Sequence, residues 1–60
     1  MSYNEFKRWL VGQGVVFTKK GKKHFKIHLG DKHTVFPNHG PKEIGEGLRK
    51  EIIKQLGLKD

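Results

Sequence analysis

The sequence predicts an α+β domain of order α-β-β-β-α, a three-stranded antiparallel sheet with two helices on one face. Three observations predict it. Apolar residues recur at helical spacing at both ends of the chain, and three short runs between them are rich in β-branched and aromatic residues. The connections between those runs are too short for a parallel crossover, so the strands form a meander. The 60 residues make a single domain, 1–60. A chain of this length buries only about 60% of the surface its unfolded form exposes, so the core is thin.

The first helix is predicted over residues 2–13. Ser2-Tyr3-Asn4-Glu5 fits the S-x-x-E capping box, in which Ser2 caps the helix and Glu5 reaches back to it. Phe6 and Leu10 lie one turn apart on one face, with Tyr3 and Trp9 beside them and Lys7 and Arg8 largely off it. Trp9 is expected to pack against the core, because helical aromatics usually face one. Gly12 and Gly14 supply the stop.

Val15-Val16-Phe17-Thr18 reads as the first strand, and Lys19-Lys20-Gly21-Lys22-Lys23 as a basic loop that interrupts it. His24-Phe25-Lys26-Ile27-His28-Leu29 alternates. Phe25, Ile27 and Leu29 therefore share one face, and His24, Lys26 and His28 share the other. Gly30-Asp31 is a turn signal, and His33-Thr34-Val35-Phe36 reads as a third strand ended by Pro37. After a loop at residues 38–42, the second helix is predicted from near Gly45 to Leu56. Its stripe is Leu48, Ile52 and Leu56, widened by Ile53. Gly57-Leu58 fits a stop in which Leu58 folds back onto the helix. Both apolar helix faces must cover one side of the sheet, which leaves the His24 side open.

The composition narrows the function classes. With no cysteine, disulfides and thiolate metal sites are excluded. No apolar run approaches the roughly 20 residues of a membrane span, so no role within a membrane is expected. The opening Met1-Ser2-Tyr3-Asn4-Glu5 lacks the basic start and apolar stretch of a secretory signal, which points to the cytoplasm. Thirteen Lys and Arg oppose six Asp and Glu, for a net charge of +7. Such an excess implies a polyanionic partner: nucleic acid, an anionic membrane surface or an acidic protein.

Residues 19–33 concentrate six lysines and three histidines against a single acid, Asp31. A solvated charge run would spread its lysines; here they cluster around a glycine, beside a histidine that gains nothing from core packing. His24 and His28 are about 13 Å apart along an extended strand, too far to share a zinc ion. His33 lies opposite His28 across the turn, but two histidines fall short of the three or four ligands zinc usually takes. Magnesium-dependent nuclease chemistry needs clustered carboxylates, and the acids here are scattered. No metal or other cofactor is expected. Ser2 is accounted for as a helix cap, so no Ser-His-Asp arrangement is indicated.

Metal-free chemistry on RNA fits these residues. RNA carries its own nucleophile, the 2′-hydroxyl beside each phosphodiester. A catalyst then has only to move protons and stabilise the extra charge on phosphorus, tasks suited to histidine and lysine. The candidate catalytic residue is His24. The candidate RNA- and phosphate-binding residues are Lys20, Gly21, Lys22, Lys23 and Lys26.

Nearly the whole chain resembles the HicA-type toxins, the RNA-cleaving partners in bacterial HicA–HicB toxin–antitoxin pairs. The resemblance rests on Asn4-Glu5-Phe6-Lys7-Arg8-Trp9-Leu10, Gly21-Lys22-Lys23-His24, and Val35-Phe36-Pro37-Asn38-His39. It rests most heavily on the end of the chain, Leu48-Arg49-Lys50-Glu51-Ile52-Ile53-Lys54-Gln55-Leu56-Gly57-Leu58. It implies a fold like a double-stranded-RNA-binding domain, a catalytic role for His24 after the glycine-containing loop, and a supporting role for His39. It also implies messenger RNA as substrate and a cognate HicB-like antitoxin that covers the active face. The toxin alone is expected to be monomeric. The family often has Gly-Ser before this histidine region, whereas Lys22 follows Gly21 here, so no serine role transfers. His28 and His33 take no role from the resemblance and are expected to face solvent.

The rival reading is a double-stranded-RNA-binding domain without catalysis, since fold alone does not decide function. Such domains usually carry lysines at the start of the second helix, whereas this chain has Glu43-Ile44-Gly45-Glu46-Gly47 there. Its basic cluster lies beside His24 instead, which favours cleavage.

Overall fold

The computed structural model describes residues 1–20 and 24–59, with backbone alone at 19 and 20. The element order is α1 (Tyr3–Gly12), β1 (Val16–Lys20), β2 (His24–Leu29), β3 (Lys32–Pro37) and α2 (Glu46–Gln55). The α-β-β-β-α order is as predicted. The sheet is antiparallel with strand order β1-β2-β3, so β2 is central.

The predicted capping box starts α1. The Glu5 amide donates to Ser2 Oγ at 3.1 Å, and the Ser2 amide donates to Glu5 Oε1 at 3.0 Å. The ends of the two helices follow one pattern. The Val15 amide donates back to the Leu10 carbonyl at 3.1 Å, and the Leu58 amide to the Ile53 carbonyl at 3.0 Å. Gly14 and Gly57 make the reversal at φ 92° and 71°. In each case the residue after the glycine turns an apolar side chain inward. Val15 is thus buried by the stop of α1 and precedes β1, although its β-branched neighbours suggest a strand.

Further details differ from the sequence reading. β1 runs on to Lys20, so the predicted basic loop gives up Lys19 and Lys20, which pair with Phe25 and His24. β3 includes Lys32 and Pro37; proline is tolerated there because β3 is an edge strand and Pro37 is its last residue. In α2 the buried residues are Ile52 and Ile53, with Leu56 just beyond, while Leu48 is exposed in the first turn.

The two strand faces separate as their alternation requires. Phe6 and Leu10 of α1, Ile27 and Phe36 of the sheet, and Ile52, Ile53 and Leu56 form one core with Val15 and Ile44. Both helices therefore cover the Ile27 face. Phe36 is completely buried. A buried phenylalanine resists truncation to alanine by about 3–5 kcal/mol, which is about the whole net stability that one core of this size supplies. Trp9 stacks on Phe6 at 5.8 Å, in the packing role expected of it. Lys7 departs from expectation. It is half-buried, with its ammonium 4.5 Å from the Phe25 ring centroid and 5.7 Å from that of Phe17.

The segment before α2 is tied to the N-terminus. The Tyr3 amide donates to the Lys42 carbonyl at 2.9 Å, Asn4 to Gly40 at 3.0 Å, and Ile44 to Met1 at 3.0 Å. The Met1 amino group meets Glu43 Oε1 at 2.7 Å.

Candidate functional site

The face of the sheet away from the helices is organised by strand register. Its central line is His24, Lys26 and His28 on β2. Lys20 and Pro37 flank His24 in register, Thr18 and Val35 flank Lys26, and Val16 and His33 flank His28. Alternation predicts the central line. The flanking residues follow from the pairing, which becomes legible only once the turn is placed.

His24 opens β2, and its side chain is exposed. With Phe25, Lys26 and Val35 it lines a shallow depression of about 300 Å³. The strand end that carries it is held from the other side of the sheet. The Phe25 ring lies 5.8 Å from Phe17, edge to face, beneath the Lys7 ammonium. A cation over a ring at a partly exposed site contributes about 0.5–1 kcal/mol. Lys7 thus helps to fix the residue next to His24, a role that helical periodicity alone does not reveal.

Lys26 sits two residues along β2 from His24, on the same face and exposed. It lines both the His24 depression and a second one of about 340 Å³ that includes Thr18, His28, His33 and Val35. Among the described residues, no carboxylate lines either depression. Such a surface offers N–H, ammonium and hydroxyl donors and favours anions. His28 and His33 are register partners with ring centroids 6.0 Å apart. His33 is exposed as expected, whereas His28 is half-buried. Among the described residues, no group of three or more His, Asp or Glu side chains is placed to hold a metal ion.

The remaining candidates divide. Gly21, Lys22 and Lys23 lie outside the described residues, as does the side chain of Lys20. The backbone of Lys20 pairs with His24, so the described residues on either side of 21–23 meet at the His24 end of the sheet. His39 follows Pro37, the register partner of His24, by two residues. Its ring lies 4.9 Å from Tyr3, whose ring in turn meets Phe36 at 6.0 Å. His39 therefore sits near the same end of the sheet, braced from the helix side. The acids at the start of α2 face other partners: Glu43 meets the Met1 amino group, and Glu46 lies 3.7 Å from Arg49. No helix among the described residues is long and apolar enough to cross a membrane.

The α-β-β-β-α order, with both helices on one side of a three-stranded antiparallel sheet, is the fold class of double-stranded-RNA-binding domains. The sequence model of the family described as HicA toxin of bacterial toxin–antitoxin matches residues 3–58, and the chain belongs to that family. It is 63% identical over 60 residues, the full length of both chains, to a protein of Pseudomonas fluorescens (strain Pf0-1) described as probable mRNA interferase HicA. It is 47% identical over 58 residues to the probable mRNA interferase toxin HicA of Escherichia coli (strain K12), covering 97% of this chain and 98% of that one. Among solved structures it resembles a chain in the crystal structure of the E. coli HicAB toxin–antitoxin complex. The TM-score is 0.83 at 47% identity, covering 92% of this chain and 95% of that one.

Proposed function

We propose that this chain is a single-domain messenger-RNA endoribonuclease, the toxin of a toxin–antitoxin pair, and that it works without a metal through His24. The observation that carries the reading is the exposed His24 at the start of β2, next to Lys26 on the helix-free face. The relatives named mRNA interferase support the substrate class. The protein acts in the cytoplasm, where its substrate is.

The reaction is attack by an RNA 2′-oxygen on the adjacent phosphorus. The 2′-oxygen gives up its proton and forms a new bond to phosphorus, the bond from phosphorus to the 5′-oxygen breaks, and that oxygen takes up a proton. The products are a 2′,3′-cyclic phosphate and a free 5′-hydroxyl. His24 transfers a proton at one of these oxygens, as general base or general acid. Lys26, with Lys20, Lys22 and Lys23 of the preceding segment, neutralises the charge that builds on the phosphoryl oxygens. Gly21 lets the backbone of that segment approach the phosphate. His39 supports the His24 end through its packing on Tyr3. The free toxin is a monomer. A HicB-like antitoxin covers the open face, a reading supported by the toxin–antitoxin complex among its structural relatives.

The test pairs the parent with His24→Ala on a defined RNA, with EDTA present. The parent cuts, and the folded variant loses at least about 100-fold in rate, as removal of a general acid or base does. A substrate with 2′-deoxyribose at the cleavage site stays intact. Parental-rate cutting by His24→Ala would remove His24 from the mechanism. Loss of activity in EDTA with rescue by a divalent ion would remove the metal-free route. Tight RNA binding without cutting by the parent would leave a double-stranded-RNA-binding module.

A further inference from the structure

The open sheet face extends well beyond His24. His28 lies four residues along β2 from His24, about 13 Å away on the same face. Its register partner His33 stands on the edge strand, with ring centroids 6.0 Å apart and planes tilted by 43°. Leu29 and Lys32 flank the two-residue Gly30-Asp31 turn. In an antiparallel ladder closed by such a turn, the next pair outward is of the non-hydrogen-bonded kind, in which side chains approach more closely. The two imidazoles thus form one aromatic, hydrogen-bonding surface at the far end of the face.

The chemistry around this pair selects its occupant. Lys26 and Thr18 line the same depression, and among the described residues no carboxylate does. A cation is disfavoured beside Lys26 in a chain of net charge +7. Lys26 and Val35 belong to both this depression and the one at His24, so the two adjoin. Val35 is 49% exposed and supplies an apolar contact between them. Cations that follow a backbone, with rings on which bases stack, make up the usual surface for single-stranded nucleic acid.

We propose that His28 and His33 form a second RNA subsite, which holds a nucleotide of the same single strand remote from the bond positioned at His24. The proposal rests on the endoribonuclease reading for the direction of the strand across the face, and it deepens that reading. One imidazole stacks on the base, the other donates to a base edge or phosphate, and Lys26 pairs with a phosphate between the subsites. The lengths of RNA that bind well are then set by the distance along β2.

The test uses single-stranded chimeric oligonucleotides with one cleavable ribose, all other sugars being 2′-deoxy, extended stepwise on either side. For the parent, KM falls on the order of tenfold when an extension on one side first spans to the His28–His33 pair, the scale of one base–aromatic stacking contact. His33→Ala, an exposed edge-strand change, and the double variant His28→Gln/His33→Gln abolish that step, and the loss falls on KM rather than kcat. Both variants are checked for an unchanged far-UV circular dichroism spectrum. A length step in KM that survives in folded His33→Ala and in the double variant overturns the proposal. So does a case in which these changes weaken only antitoxin binding, which would make the pair a protein contact.

A parallel series measures the affinity of uncut oligonucleotides for His24→Ala by fluorescence anisotropy. A length step there that depends on His28 and His33, with no cutting by the parent, sustains the subsite and removes the nuclease reading. Cutting by the parent with no such step does the reverse.

Discussion

Ser2 and Glu5 satisfy each other's backbone donors at the start of α1, so two side chains close one helix end. Removing the hydroxyl in Ser2→Ala is expected to lower stability by about 1 kcal/mol, read from the urea midpoint. Glu5 adds a pH dependence of definite sign. Accepting the Ser2 amide holds its carboxyl below the ordinary 4.5. A depressed carboxyl stabilises the fold above its unfolded pKa and loses that contribution as pH falls through the folded value. Glu5→Gln keeps an acceptor but cannot ionise. The parent is therefore expected to be the more stable of the two at pH 7, and the difference should shrink as pH falls below 4.5. Thermal melts of both proteins from pH 7 to pH 3 measure it, and a constant difference would contradict the assignment. The box is readable from four consecutive residues because all of its atoms are local. The place of Lys7 is not readable that way, because its ring partners come from β1 and β2.

Each helix is stopped by a glycine in the left-handed region, followed by an apolar residue that returns to the core. Gly57 separates backbone conformation from packing. A Cβ placed there meets only Lys32 Cε at 3.8 Å, an ordinary contact, so the cost of Gly57→Ala is that of holding an L-residue at φ 71°. That is about 1–2 kcal/mol of destabilisation. Gly47, inside α2, has open space around its Cβ position and no such φ. Gly47→Ala is expected to stabilise by about 0.5 kcal/mol through the unfolded chain. Urea unfolding of the two variants should therefore give shifts of opposite sign. Element order, both helix stops and the alternation of β2 are legible in the sequence because they are local patterns. The length of β1 is not. Lysine has little strand preference, so Lys19 and Lys20 read as loop, yet β2 supplies Phe25 and His24 as partners and the ladder continues. Leu48 likewise keeps the helical period but falls in the first turn of α2, short of the core.

At the scale of the whole molecule, folding divides the chain into an apolar side under the helices and a donor-rich side without them. His24 and Lys26 are legible as one face from alternation alone. His33 joins them through the Gly30-Asp31 turn, which is readable in the sequence, whereas the places of Thr18 and Val35 depend on how β1 and β3 register against β2. On the proposed function, the net charge of +7 acts on top of this geometry, drawing RNA to the molecule from any direction while the open face decides where it is held. Binding should then depend on salt in a countable way. For a single strand the slope of log affinity against log salt is about −0.7 per phosphate neutralised, so one phosphate for each of the four proposed contacts, Lys20, Lys22, Lys23 and Lys26, gives about −2.8. Adding Lys26→Ala to a His24→Ala background should flatten the slope by about 0.7, one phosphate's worth. Replacing exposed Lys50 or Lys54 of α2, which has its buried face on the other side of the sheet, should leave it near the starting value. Anisotropy titrations of one labelled oligoribonucleotide across a salt series measure all three slopes. Equal flattening by Lys50 and Lys26 would mean that RNA is held by total charge, without a preferred face.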